Sequence, residues 1–342
     1  MSGFWASWNY SRHGRCLRFS FLVISVLLVL QCEGVGKEHF HSFQKTYNTT
    51  TSFTVTPSQN GCPLKTTVYY PVAGGSFSPI YFIGGFGGVQ PAETYSELLS
   101  KIASNGYVVM GIDRFSLSGD LENELWTRPS ERTLQVDKSS ERFACQIQWL
   151  RKNIDTVPEL HGTLHSPNWN KTTLMCHSKG CDVILKILEN NIAQVADMAK
   201  AAIYLDPFSI HSRKAPKVKV RIPSFSYLSA LSEKFPTCCI KGFGYRRFYD
   251  LMPCVKVKMD VQGFGHCDLL DYKYWELCHK IGFCVTTNDT RLEEYKNFLQ
   301  KEVTSFLSWT LDGVTEVKKY LTDPKYIPFP LLDLAYNETK CE

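Results

Sequence analysis

A serine stands in a segment whose residue types suit nucleophilic catalysis. Residues 174–181 (LMCHSKGC) place Ser178 between an apolar run and an amphipathic window, with Cys176 two positions before it and Gly180 two positions after it. In the sharp strand-to-helix turn called a nucleophile elbow, residues at those two positions must be small because the backbones approach closely. The pattern predicts that Ser178 is a nucleophile, although Cys176 replaces the usual first glycine. The alternative interpretation is a serine that caps a helix.

A serine hydroxyl needs a general base, and the sequence offers nine histidines for this role. His266 lies late in the chain in a glycine-containing segment, residues 263–268 (GFGHCD), directly after an apolar run. His177 is adjacent to the serine in the turn and is expected to point away from it. We therefore predict that His266 is the base, with a structural loop histidine as the alternative.

The carboxylate that orients the base is predicted to be Asp206. It ends the apolar run 201–205 and precedes a proline, which places it at the carboxyl end of a predicted strand. The resulting chain order of serine, acid and histidine is the one that α/β hydrolases use. Two alternative acids remain open at this point: Glu233, one predicted strand later, and Asp268, beside the histidine.

A glycine-rich loop supplies candidate donors for the oxyanion of a tetrahedral intermediate. Residues 84–88 (GGFGG) follow the predicted strand 80–83, and glycines allow backbone amides to turn inward. We predict that the backbone N–H groups of Phe86 and Lys179 form the oxyanion hole. The alternative, a phosphate-binding loop, lacks the Lys-Ser/Thr pair that such a loop requires.

The elements that must position these residues alternate along the chain. Strands are predicted at 67–70, 80–83, 107–112, 172–176, 201–205, 224–228 and 255–261, and helices at 95–104, 139–154, 182–188 and 291–309. This alternation predicts an α/β-hydrolase fold, in which a mainly parallel, doubly wound sheet carries helices on both faces. Two longer loops, 113–137 and 229–253, follow strands. The aromatic and basic residues 243–249 predict an apolar entrance or a lipid-surface contact, with a packed loop as the alternative.

Four parts are predicted along the chain. Residues 1–34 read as a signal peptide with a 12-residue apolar run, 19–30, behind three arginines. Residues 35–59 form a Ser/Thr-rich segment, 60–312 the hydrolase domain and 313–342 an extended tail. The alternative for the leader is a retained membrane anchor at residues 19–30.

The leader implies a secreted or luminal protein, and two further features agree with it. Eleven cysteines follow the leader, residues 1–34, so disulfides are expected, at least one thiol stays unpaired within the chain, and Cys278 with Cys284 is a plausible local pair. No spacing of cysteines and histidines predicts a metal site. Beyond the leader, N-glycosylation sequons occur at Asn48, Asn170, Asn288 and Asn337.

Composition excludes several classes of protein. The chain of 342 residues is 44% hydrophobic and 21% charged, which is too apolar for a disordered chain and supports one large domain. The formal net charge of +5 is too small to predict a nucleic-acid partner. The oligomeric state is not predictable from these features.

Taken together, the motifs resemble those of the chlorophyllase family of α/β hydrolases. Residues 176–181 stand where that family has G-H-S-R-G-G, residues 205–207 match its L-D-P, and residues 265–271 (GHCDLLD) are similar to its G-H-M-D-M-L-D. The chain departs from the family by Cys176 and Cys181 in place of two elbow glycines and by Lys179 in place of arginine.

The resemblance implies a serine carboxylesterase that needs no cofactor and cleaves the phytyl ester of chlorophyll. It implies Ser178 as nucleophile, His266 as base and then acid, and Asp206 as the orienting carboxylate. The expected partner is a small-molecule apolar ester, either chlorophyll-like or a lipid. Two alternatives are a lipase or carboxylesterase of the same fold and a non-catalytic binding protein of that shape. A plastid address in a bipartite leader is the alternative to secretion.

Overall fold

Segments of five to seven residues form the strands of one sheet in the computed structural model, and those of the central strands are largely apolar. The structure describes residues 47, 50–55, 62, 64–114, 131–157, 167–209, 218–239 and 245–341. Within these ranges the strands are β1 Thr50–Val55, β2 Thr66–Pro71, β3 Ser78–Ile83, β4 Tyr107–Ile112, β5 Thr173–His177, β6 Ala201–Leu205, β7 Ser224–Ser229, β8 Lys256–Val261 and β9 Leu331–Asn337.

The strand order is β1-β2-β4-β3-β5-β6-β7-β8-β9. From β4 across to β8 every neighbouring pair is parallel, whereas the β1–β2, β2–β4 and β8–β9 pairs are antiparallel. This topology confirms the predicted mainly parallel sheet. The carboxyl ends of its central strands lie along one edge, which is where open α/β sheets bind ligands.

Helices connect the parallel strands. Their bounds are α1 Gly85–Gly88, α2 Ser96–Ala103, α3 Glu131–Asn153, α4 Gly180–Asn190, α5 Val195–Met198, α6 Phe248–Leu251, α7 Tyr272–Ile281, α8 Leu292–Asp312 and α9 Lys318–Thr322. Among the described residues, no helix is both long enough and apolar enough to cross a membrane. The predicted leader and its apolar run lie outside the described residues.

The sheet is covered on both faces, as a doubly wound fold requires. In β3, Tyr81 and Ile83 pack into one apolar cluster with α3 and α4, while Ile80 and Phe82 pack into another with α2 and α8. This alternation follows from the two-residue period of a strand. Since both faces are buried, the central strands read as continuous apolar runs, which explains why they were predictable.

Two strands lie beyond the predicted limits of the hydrolase domain, 60–312. β1 belongs to the Ser/Thr-rich segment, and β9 belongs to the tail, where it pairs with β8. The prediction of an extended tail holds only in part, because the tail contains the helix α9, and only its residues 331–337 form an extended strand at the edge of the sheet. Both strands are half-exposed and carry polar residues, so their sequences lack the apolar run that identifies a central strand.

The disulfides differ from the predicted local pair. The five bonds are Cys62–Cys145, Cys176–Cys181, Cys238–Cys284, Cys254–Cys341 and Cys267–Cys278. The predicted Cys278–Cys284 pair is wrong because Cys278 faces Cys267 from α7, whereas Gly282, with a φ of 62°, ends that helix and redirects Cys284 towards Cys238. Of the eleven cysteines after the leader, all of them described, Cys239 alone is free.

Candidate active site

The strand β5 and the helix α4 hold Ser178 in a strained turn. Its φ of 54° lies in the left-handed region that residues other than glycine seldom adopt. Two residues later, a Cβ added to Gly180 would lie 2.4 Å from the carbonyl oxygen of Gly84, so this position accepts glycine alone. The geometry is that of a nucleophile elbow, which projects the serine hydroxyl above the sheet.

A disulfide crosses this elbow. Cys176, the second-last residue of β5, is bonded to Cys181 in the first turn of α4. Cys176 is fully buried and occupies the place of the usual first glycine. The bond therefore joins the strand to the helix across the strained serine, so the departure from the glycine pattern adds a covalent restraint to the turn.

Strand register brings the candidate acid beside Ser178. His177 of β5 pairs with Leu205 of β6, so the next residue on each strand, Ser178 and Asp206, leaves the sheet at the same level. Asp206 also has a positive φ, 41°. The loop after β8 then carries His266 over the same edge.

His266 makes the contact that a general base needs. Its Nε2 lies 2.7 Å from Ser178 Oγ. Burial lowers the pKa of His266 to about 3, so the ring is neutral in the resting site and can accept the hydroxyl proton. Gly265 fixes the path of this loop, because a Cβ there would lie 2.0 Å from the carbonyl oxygen of Val285.

Asp206 is held on the other side of the imidazole. Its Oδ2 lies 3.9 Å from His266 Nδ1, and its carboxylate accepts hydrogen bonds from the Ser229 N–H, the Ser232 hydroxyl and the Tyr245 hydroxyl at 2.6, 3.2 and 2.9 Å. Burial raises the pKa of Asp206 to about 6, against the lowering effect of these donors. The donors leave an oriented carboxylate facing the base.

The two alternative acids have other partners. Asp268 accepts from the Gly265 N–H at 2.6 Å and from the Trp275 indole at 2.8 Å, so it shapes the loop that carries the histidine. Glu233 pairs with Arg246 at 3.3 Å. Of the three candidates, Asp206 is the one within ion-pair distance of His266.

A buried thiol also faces the base, and sequence reasoning gave it no role. Cys239 Sγ lies 3.3 Å from His266 Nδ1, which is closer than the nearest oxygen of Asp206. Burial raises the pKa of the Cys239 thiol well above its usual value, so it is an uncharged, weak hydrogen-bonding partner. The cysteine-rich sequence carried no signal that singled out this residue, since only its place in the fold brings it to the histidine.

His177 lines the same cavity as Ser178 and contacts His266. Its ring lies against that of His266, 4.4 Å between centroids and tilted by 36°, and its Nδ1 lies 2.8 Å from the hydroxyl of Tyr95. Burial and the neighbouring His266 lower the pKa of His177 well below its usual value. A neutral imidazole therefore supports one face of the candidate base, and Tyr95, on the loop before α2, sets its orientation.

The glycine-rich loop packs against the elbow. It forms the short turn α1, in which Gly88 N–H donates to the Gly84 oxygen at 3.0 Å and Gly85 N–H donates to Tyr95 Oη at 2.9 Å. Phe86, with a φ of 52°, lies on the same pocket wall as Ser178. Lys179 directly follows the serine, so the two predicted oxyanion donors belong to adjoining segments; their role stays a prediction.

A largely apolar cavity of about 370 Å³ opens over Ser178. Its walls include Phe86, Leu277, Ile281 and Phe283, together with the Cys238–Cys284 and Cys267–Cys278 disulfides. Its volume lies in the range of small-molecule pockets. The pocket suits an apolar group attached to the reacting carbonyl.

The sequons lie away from this cavity where they are described. Asn170 is exposed just before β5 begins, at the opposite edge of the sheet from Ser178, and Asn288 is exposed in the loop before α8. Asn337 ends β9 and is half-buried. Asn48 lies outside the described residues, and glycosylation of all four stays a prediction.

A comparison of the chain with models of protein families shows which family it belongs to. The chlorophyllase model matches residues 38–338. The chain belongs to the chlorophyllase family. The matched range spans the sheet from β1 to β9, and it confirms the family resemblance and the α/β-hydrolase fold predicted from the motifs.

Two curated chlorophyllases from Arabidopsis thaliana are similar to the chain. Chlorophyllase-1 is 24% identical over 308 residues, which cover 82% of this chain and 88% of the relative. Chlorophyllase-2 is 21% identical over 280 residues, which cover 76% and 82%. Family membership indicates an ester hydrolase, and the similarity extends over most of each relative.

Proposed function

We propose that this protein is a serine carboxylic-ester hydrolase that acts through Ser178, His266 and Asp206. The observation that carries the proposal is the 2.7 Å contact between Ser178 Oγ and His266 Nε2 at a serine held with a positive φ. A structural serine has no need of either feature, because capping a helix requires neither strain nor a histidine. A hydrolase-shaped binding protein would not require an intact triad.

Acylation follows from the contacts of the three side chains. Ser178 Oγ attacks the ester carbonyl carbon while His266 Nε2 takes the hydroxyl proton. The resulting imidazolium is unfavourable in a buried site, and the Asp206 carboxylate, 3.9 Å from Nδ1, offsets that cost. The backbone N–H groups of Phe86 and Lys179 donate to the oxyanion. His266 then protonates the alkoxy oxygen, the C–O bond breaks, and the alcohol leaves an acyl-serine.

Deacylation uses the same groups in reverse. A water molecule gives a proton to His266 Nε2 and attacks the acyl carbon, and the bond to Ser178 Oγ breaks as that oxygen regains the proton. The products are one carboxylic acid and one alcohol, and the enzyme returns unchanged. No step needs a cofactor for its balance.

The proposed substrate class is esters with a long apolar part, and the specific substrate proposed is chlorophyll. The apolar cavity over Ser178 supports an apolar ester, and the chlorophyllase names of the relatives support the pigment. Because identity to them is 21–24%, an acylglycerol or another apolar carboxylic ester is the competing substrate.

A substrate panel tests this proposal. Purified protein is incubated with chlorophyll, a triacylglycerol and p-nitrophenyl esters of increasing chain length, and products are separated by chromatography. Release of chlorophyllide and phytol supports the pigment, whereas turnover of the acylglycerol alone assigns a lipase. Ser178→Ala should lower kcat by about a million-fold on whichever ester is cleaved. Near-full activity of a folded Ser178→Ala protein would contradict the assignment.

The protein is proposed to act in the secretory route. The predicted leader, the four sequons beyond it and the five disulfides support this compartment, since disulfides persist in oxidising environments. When the full chain is expressed in a secretory host, the protein should be recovered from the medium. Glycosidase digestion should then lower its mass. A cell-retained, unglycosylated protein would favour the anchored or plastid alternatives.

A further inference from the structure

Large apolar side chains are exposed around the mouth of the candidate active site. Phe86 is 52% exposed, Leu277 57%, Ile281 63% and Phe283 49%, and all four line the cavity over Ser178. Solitary exposed apolar residues are ordinary, but a cluster at the entrance of a pocket indicates a contact surface. These four residues and Phe235 are called the apolar rim below.

The rim is assembled from three segments of the chain. The rings of Phe86, on α1, and Phe283, after α7, lie 5.7 Å apart between centroids. Leu277 and Ile281 lie one turn apart on α7, so their side chains share one face of that helix. Phe235, which is 92% exposed, lies close in sequence to Thr237 and Cys238 of the same cavity wall.

Two disulfides fix this surface in place. Cys267–Cys278 joins α7 to the residue after His266, and Cys238–Cys284 joins the segment after Phe235 to the segment after α7. The exposed side chains therefore stand on a restrained scaffold. A surface that is already ordered loses less entropy when it binds than a flexible one does.

Lysines flank the rim. Lys273 and Lys280 are exposed on α7, and helix geometry places both within about 60° of Leu277 around the helix axis. Lys234, also exposed, directly precedes Phe235. Glu276 lies on the same side and pairs with Lys280 at 3.0 Å, so these charges sum to a positive flank. Exposed apolar tips beside lysines are the pattern of an interfacial helix on an anionic membrane.

We propose that the apolar rim docks on the surface of a lipid bilayer with anionic headgroups, so that the apolar tips enter the acyl boundary and the lysines meet the headgroups. This inference rests on the proposed function, because a rim that surrounds the route to Ser178 serves a substrate delivered from that surface. A protein partner bound at the same place would cover the nucleophile.

The sequence had suggested a lipid contact elsewhere, at residues 243–249. In the described part of that segment, Tyr245 and Phe248 are buried, and Arg246 pairs with Glu233 and with the buried Asp260. These contacts agree with the alternative of a packed loop. The apolar and basic surface is instead provided by α7 and the segments beside it.

Vesicle flotation tests the docking without any need for catalysis. Full-length protein carrying Ser178→Ala is mixed with phosphatidylcholine vesicles that contain or lack phosphatidylglycerol. Binding is expected on the anionic vesicles and should weaken at high salt. Phe235→Ser should lower the partition coefficient about tenfold, and Lys273→Gln with Lys280→Gln should lower it about fivefold per lysine.

Matched variants control for general effects of the substitutions. Leu332→Ser removes an exposed apolar side chain from the edge strand β9, and Lys219→Gln removes an exposed lysine ahead of β7, at the opposite edge of the sheet. Both should bind vesicles as the parent does. Equal binding by rim and control variants, or no binding by the parent, would overturn the proposal. A dimer that Phe235→Ser disperses would assign the rim to a second copy instead.

Hydrolysis assays separate this proposal from the proposed function. With Ser178 intact, Phe235→Ser should retain its rate on a water-soluble p-nitrophenyl ester and lose rate on an ester embedded in vesicles. Vesicle binding by a protein that cleaves no ester would leave the docking standing and reject the esterase. Ester cleavage by a protein that does not bind vesicles would support the esterase and reject the docking.

Discussion

His266 has two neighbours on its Nδ1 side, and their chemistry decides which one serves catalysis. The Cys239 sulfur lies 3.3 Å away and the Asp206 carboxylate 3.9 Å away. A neutral thiol stabilises an imidazolium only weakly, whereas the negative charge of a carboxylate attracts it strongly even at the longer distance. We therefore propose Asp206 for the orienting role in spite of the shorter sulfur contact.

Substitution of each neighbour should separate their contributions. Asp206→Asn should lower kcat by about four orders of magnitude with little change in folding. Cys239→Ala should lower kcat by less than about tenfold, because only a weak contact is lost. Steady-state kinetics on a soluble ester, with circular dichroism as a folding check, measures both. A larger loss in Cys239→Ala than in Asp206→Asn would remove Asp206 from the mechanism.

The pH profile should respond to the hydroxyl of Tyr245. Burial raises the pKa of Asp206 to about 6, and the hydrogen bond from Tyr245 opposes that rise by stabilising the carboxylate. Tyr245→Phe removes this donor, so the pKa of Asp206 rises further and the carboxylate is lost at a higher pH. His266 stays neutral over this range because burial lowers its pKa to about 3.

The acid limb of kcat/KM in Tyr245→Phe should therefore move upward by about half to one pH unit. Tyr249→Phe, at a half-buried ring that borders Lys256, is the control and should leave the profile unchanged. If the acid limb of kcat/KM shifts to lower pH or does not shift in Tyr245→Phe, ionisation of Asp206 does not determine that limb.

Two disulfides each close a long loop but lie in different places relative to the cavity. Cys238–Cys284 joins residues 46 apart in sequence, and Cys254–Cys341 joins residues 87 apart. Cys254–Cys341 ties the end of the chain near the start of β8, away from Ser178, whereas Cys238–Cys284 lies on the cavity wall. Replacing both cysteines of either pair with serine should lower the free energy of unfolding by about 2–5 kcal/mol. The losses are similar because each bond closes a long loop.

The kinetic effects of the two replacements should differ. The Cys238→Ser/Cys284→Ser protein should raise KM for long-chain esters, because the rim loses its restraint, whereas the Cys254→Ser/Cys341→Ser protein should keep the parent KM. Denaturant unfolding and ester kinetics at 25 °C provide both readouts. An equal change of KM in the two proteins would show that the effect on the pocket is only a consequence of lower stability.

Some elements were predictable from sequence and others were not, for physical reasons. The central strands β4 and β6 agree with their predicted bounds because strands that are buried on both faces have continuous apolar sequences. The edge strands β1 and β9 face solvent on one side and lack that run. The helix α7 escaped prediction because its apolar residues Leu277 and Ile281 face the pocket mouth rather than the core.

For the molecule as a whole, the order of the candidate catalytic residues along the chain could be predicted from the sequence, but their contacts could not. Ser178, Asp206 and His266 follow strands, so a parallel sheet had to collect them at one edge. The choice of Asp206 over Glu233 depends on the register of β5 with β6. The contacts of Cys239 and the disulfide partners of Cys278 and Cys284 are set by tertiary packing, which local sequence does not encode.

Covalent labelling tests directly whether Ser178 is an activated nucleophile. The full chain, expressed in a secretory host, is treated with a fluorophosphonate ester probe, and the labelled peptide is mapped by mass spectrometry. We expect a single label on Ser178, absent from Ser178→Ala and much slower to form in His266→Ala. A folded protein that resists the probe, or one labelled at another serine, would show that Ser178 is not the nucleophile.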